Sequence, residues 1–217
     1  MDLNQILKDP TAVLLILSNL AVIVFAVLQN WSLLTLLWVY WAQSIIIGFF
    51  QFFKILLSWN SFAEKLEKFF GKANSSFSAL SALGTVFIAC FFAVHYGLFH
   101  WGYAMFLSAF PQLFQQSAAN FNEVLLAAGI FFVNHLFSFI YYIAKPPKKK
   151  KSPNELMGEP YARILPMHLT IMFLVFALVI FGNSGIVLAL VFFLLLKTLA
   201  DVSMHIREHA DQQKSGI

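Results

Sequence analysis

The chain has 217 residues, 60% of them hydrophobic and 11% charged, with a formal net charge of +4. A soluble domain carries roughly 25% charged residues, so this composition excludes a water-soluble core and points to an integral membrane protein. The single cysteine, Cys90, excludes an intrachain disulfide.

Six stretches reach the roughly 20 apolar residues that a hydrocarbon core requires: 11–29, 33–57, 79–107, 123–144, 162–181 and 186–206. The first follows a short polar leader and Pro10. It shows no small-residue cleavage pattern and is read as a retained helix. The second carries Tyr40, Gln43, Ser44 and Gln51. Between the second and third lies "SFAEKLEKFFGK", with Ser61 and Glu64 at capping-box spacing and Gly71 as a helix stop. Phe62, Leu66, Phe69 and Phe70 oppose its charged residues, as in a short amphipathic helix on the membrane surface. A helix docked on the protein fits the same pattern.

The third stretch contains "HYGLFHWG", with His95 and His100, and the fourth "FVNHLFSF", with Asn134 and His135. "PPKKKKSPNE" (146–155) reads as a solvated basic stretch within a loop over 145–160. In "PYARILPMH", Pro160 can open a helix and Pro166 removes a backbone bond within its second turn. Arg163 is placed at the membrane rim, where it serves a headgroup phosphate, Asp201 or Glu159, or only sets topology. "FGNSG" (181–185) marks a tight turn, so the last two spans form an antiparallel hairpin.

Apart from Lys197, inside the last span, lysine and arginine fall on one side of these spans. The loops containing "QNWS", "SAFPQLFQQSAANFN" and "GNSG" have neither residue. The positive-inside rule then predicts both termini in the cytoplasm. The expected fold is all-α: one domain over 1–217, a six-helix transmembrane bundle with one interfacial helix.

Ionisable groups inside spans are costly and face a bundle interior or a cavity. Residues four apart on a helix share a broad face, so Lys197, Asp201 and His205 form one stripe, extended by His209. Counted by helical rise, His95, His135, His168 and Asp201 fall in one layer of the cytoplasmic half. Together with His205 they offer the nitrogen and oxygen ligands of a zinc-like or iron-like shell. Each histidine can equally serve only a hydrogen bond between helices, and Lys197 with Asp201 can be a simple ion pair. His100 is expected apart, towards the outer face. No Gly-x-Ser-x-Gly elbow, phosphate loop or His-Glu-x-x-His motif is present.

"HYGLFHWG" (95–102), "PYARILPMH" (160–168) and "KTLADVSMH" (197–205) together resemble a family of bacterial integral membrane proteins catalogued as a domain of unknown function. The resemblance runs from the second span onward and implies a bacterial inner membrane, without an activity. The pair His205-x-x-x-His209 is also similar in spacing to the last-helix pair of the alkaline-ceramidase-like membrane hydrolases. Those have seven helices and carry the aspartate on a different one.

Three functions follow as expectations. The first is a metal-dependent, lipid-directed hydrolase, with zinc or iron held by His95, His135, His168, Asp201 and His205. Metal-bound water is its nucleophile; Lys197 or Arg163 steadies anionic charge, and Tyr40 donates a proton. The second is a transporter or proton-coupled carrier that uses Lys197, Asp201 and the histidines as a relay. The third is a non-catalytic membrane assembly protein. Membrane lipids are the expected partners, with Lys148, Lys149, Lys150 and Lys151 attracting anionic phospholipid or serving topology alone. Nucleic acid is not expected.

Overall fold

A computed structural model describes residues 10–60, 63–64, 75–114, 117–146, 150–182, 184–185, 188 and 191–192. Among these the chain is all-helical. The named elements are α1 (Pro10–Leu28), α2 (Leu33–Leu57), α3 (Ser75–Phe114), α4 (Phe121–Ala144), α5 (Pro153–Gly158) and α6 (Tyr161–Phe181).

Helix starts follow local chemistry. Ser32 caps α2 by accepting from the Thr35 amide at 3.1 Å. Asn120 caps α4 by accepting from the Asn122 amide at 3.1 Å, and its own amide donates to Thr35 Oγ1 at 3.2 Å. That bond ties the starts of α2 and α4 together. At the other end of the pair, the Lys54 ammonium lies 5.1 Å from the centre of the Tyr142 ring. The two helices therefore run parallel.

α2 is the central element and packs against α3, α4, α5 and α6. Its buried residues, among them Leu34, Leu37, Trp38, Ser44, Gly48, Gln51 and Ile55, recur at intervals that wind round most of the helix. The outside of the molecule is the reverse of a soluble protein: Val27, Leu83, Phe87, Leu125 and Val179 are each at least 68% exposed. Surfaces of this kind are stable only against lipid or another apolar partner. Three helical stretches, Leu33–Leu57, Ala79–Gln112 and Phe121–Ala144, are long and apolar enough to cross a membrane. Among the described residues the protein is all-helical, with helices of the length and composition of a membrane protein.

Two expectations change. Helix α3 does not end near residue 107 but continues through Pro111 to Phe114. Proline in the last turn removes only one ladder bond, and Leu107 and Phe110 anchor this end in the core. The stretch read as a solvated loop is solvated only in part. Pro146 and Lys150 are exposed, but Ser152, Pro153 and Leu156 are buried, because the chain folds back as α5 against α2 and α3. The Ser152 amide and hydroxyl both donate to Glu155 Oε2, at 2.7 and 2.9 Å, and Pro153 opens the helix. The remainder of the interfacial helix expected at 61–72, beyond Ala63 and Glu64, and most of the span expected at 186–206 lie outside the described residues.

A polar ladder between α2, α3 and α6

A set of polar groups, with Ser44, Tyr96 and His100 buried among them, lies where α2, α3 and α6 meet. Tyr96 is its centre. Its hydroxyl lies 2.8 Å from Ser44 Oγ and donates to the Ser44 carbonyl at 2.9 Å. Gly48, one turn further along α2, leaves the space that the Tyr96 ring fills; a Cβ at position 48 would overlap it. The small residue is needed for this close approach.

One turn beyond Tyr96, His100 stacks on its ring with centroids 4.3 Å apart. His100 Nδ1 lies 2.8 Å from the Tyr96 carbonyl. A carbonyl only accepts, so Nδ1 carries the proton and the neutral ring presents a bare lone pair at Nε2. His100 is 1% exposed, and among the described residues that Nε2 has no hydrogen-bond partner. The Trp41 indole N–H donates to the His100 carbonyl at 2.8 Å and fixes the turn.

Tyrosine–histidine bridges tie α3 to α6 on either side of this centre. His95 Nδ1 and the Tyr161 hydroxyl are 2.6 Å apart, and His168 Nδ1 and the Tyr103 hydroxyl 3.1 Å apart. Phe91 stacks on His95 at 5.4 Å and Phe99 meets its edge at 5.1 Å. The rings form a continuous series. Tyr161 is 5.9 Å from Tyr96, Tyr96 4.3 Å from His100, and His100 6.1 Å from Tyr103, which bonds His168.

The foot of the ladder is an ionic clamp. Gln51 Nε2 donates to the Leu156 carbonyl at 2.8 Å and to Glu159 Oε2 at 3.0 Å. Glu159 Oε1 accepts from Lys151 Nζ at 2.7 Å. The clamp holds α5 in place, and two residues later Tyr161 begins α6. α6 therefore starts level with the middle of α3, because α5 occupies the space below it.

This placement separates residues that were expected together. The Tyr103 that holds His168 is eight positions after His95, about 12 Å along a helix. One metal shell cannot span that distance. His135 is half-buried on α4, which packs against α1 and α2. Among the described residues no three His, Cys, Asp or Glu side chains form a group able to hold a metal. Asp201, His205, Lys197 and His209 lie outside the described residues. Arg163 falls in the first turn of α6, its side chain also outside them; Tyr40 is half-buried on α2. Lys150 faces Glu64 at 3.5 Å in an exposed pair, and Lys151 belongs to the clamp.

Residues 1–217 match the family of unknown function DUF6498. The chain belongs to that family. No curated protein and no solved structure matches it. Within this family member, the site residues that sequence reasoning passed over are Tyr96, Tyr103 and Tyr161. Their signal was present: tyrosine hydroxyls inside apolar runs need partners, and each sits within four residues of a histidine or of the "PYARILPMH" turn.

Proposed function

We propose that the protein is a six-span inner-membrane carrier, both termini cytoplasmic, whose polar ladder moves protons alongside a cargo. The observation that carries this is the series of packed rings from Tyr161 through Tyr96 and His100 to Tyr103, hydrogen-bonded at its two ends to His95 and His168. Tyrosine hydroxyls and imidazoles both donate and accept, which is the chemistry of a proton relay inside a membrane. His100 Nε2 is a buried acceptor with no donor among the described residues, so it is the group in the series with room for an arriving proton. The location is supported by the apolar exterior and by the basic residues Lys54, Lys145 and Lys151, which lie at the end of α2 and α4 opposite Thr35 and Asn120. Lys197 and Asp201, on the same chain's last apolar stretch, are the charges the relay would use.

The metal-dependent hydrolase stands as a second proposal only through Asp201 and His205, since His95 and His168 are held by different tyrosines. Lys148 to Lys151 remain proposed contacts for anionic phospholipid, with Lys151 already engaged by Glu159.

Proteoliposomes loaded with a pH-sensitive dye test the carrier. Protein-dependent proton flux that falls in His100→Phe and Lys197→Met supports it. Flux identical to empty vesicles, from protein shown to be folded, removes it. A bound zinc or iron retained through purification and lost in Asp201→Ala would favour the hydrolase instead.

A further inference from the structure

His95 lies midway along the apolar stretch Ala79–Gln112, sixteen residues after Ala79 and seventeen before Gln112. Yet its side chain is exposed, as is that of His168 on α6. The neighbours of both on the same flank are exposed apolar groups: Phe91, Leu98 and Phe99 beside His95, and Leu165 and Met172 beside His168. Polar posts set into a lipid-facing flank are unfavourable unless something in the membrane meets them. Each imidazole has one nitrogen committed to a tyrosine, so the other is free in geometry to face a ligand.

We infer that this flank, where α3 meets α6, binds an amphiphile with an anionic, phosphate-bearing headgroup, its chains remaining in the lipid. A water-soluble cargo would need an enclosed aqueous path; two exposed polar posts with apolar margins suit a molecule that is itself half apolar. Imidazole and phenol groups donate to phosphate oxygens. The described carboxylate nearest the posts, Glu159, is already held by Lys151 and Gln51 and presents no free negative charge to repel one. In the sequence a run of four lysines, Lys148–Lys151, precedes α5, with Lys150 and Lys151 paired to Glu64 and Glu159. The inference rests on the carrier reading and names its cargo.

The test uses full-length protein in phosphatidylcholine vesicles doped with a photoactivatable phosphatidylglycerol. Adducts mapped by mass spectrometry are expected to concentrate on Phe91–Phe99 and Leu165–Met172. Excess unlabelled phosphatidylglycerol should suppress them, and excess phosphatidylcholine should not. His95→Phe should reduce them severalfold, whereas His95→Gln, which keeps a hydrogen-bonding group, should retain most of the labelling. Uniform labelling of all apolar faces, or labelling unchanged in His95→Phe, overturns the inference. Fluorescent-lipid translocation measured in the same vesicles separates the two proposals. Labelling at the flank without any flux removes the carrier and leaves the binding site, and proton flux without localised labelling removes the binding site alone.

Discussion

Gly48→Ala gives a sharp test of how the ladder is packed. In a helix interior alanine is favoured over glycine by about 0.8–1 kcal/mol, so the change alone should stabilise. Here the new Cβ would meet Tyr96 Cε1 and Cδ1 at distances that real Cβ atoms do not show. The ring has little freedom to retreat. Its hydroxyl is held at 2.8 and 2.9 Å by Ser44, and its face is stacked on His100. Overpacking of this kind costs about 1–3 kcal/mol. Gly129, on α4, provides the control, because a Cβ there meets nothing within 4 Å. The thermal unfolding midpoint in detergent should therefore rise slightly in Gly129→Ala and fall in Gly48→Ala. The stability gap between the two should be about 1–3 kcal/mol. Adding Tyr96→Leu to Gly48→Ala should close much of that gap. Equal midpoints for the two single variants would refute the close approach of α2 and α3.

Further predictions concern the clamp, the bridges and the topology. Gln51→Leu removes one donor each from the Leu156 carbonyl and Glu159 Oε2, leaving them the Glu159 amide and Lys151, a cost of about 0.5–1.5 kcal/mol per bond. Hydrogen exchange should then accelerate across Ser152–Glu159 while α4 is unaffected. Tyr103→Phe and His168→Phe should be coupled in a double-mutant cycle by about 0.5–3 kcal/mol; strict additivity would contradict the bridge. Protease added to inside-out vesicles should cut at Lys148–Lys151, and protease added to intact spheroplasts should not.

The long helices were legible because apolar length alone specifies them, and α2, α4 and the start of α6 fall close to the expected bounds. α5 was not. Its six residues carry four lysines just upstream and look solvated, and what buries them is a tertiary feature, the donation from Gln51 to Leu156. The third stretch was bounded at 107, whereas the anchoring of Leu107 and Phe110 carries α3 on through Pro111 to Phe114. Of the histidines, His95 and His168 lie exposed on the flank and only His100, expected apart, is buried beside Tyr96; their depth was not readable. Counting rise from the start of the fifth span assumed that it begins at the membrane edge. Because α5 fills the space below, Tyr161 rather than His168 reaches the level of His95. Sequence periodicity places residues along a helix and cannot place one helix against another.

Proton flux through proteoliposomes under an imposed pH gradient tests the central claim most directly. Wild-type protein should carry flux that collapses in His100→Phe, with the unfolding midpoint preserved. Full flux in that variant, or none in the wild type, would contradict a relay through the Tyr96–His100–Tyr103 series.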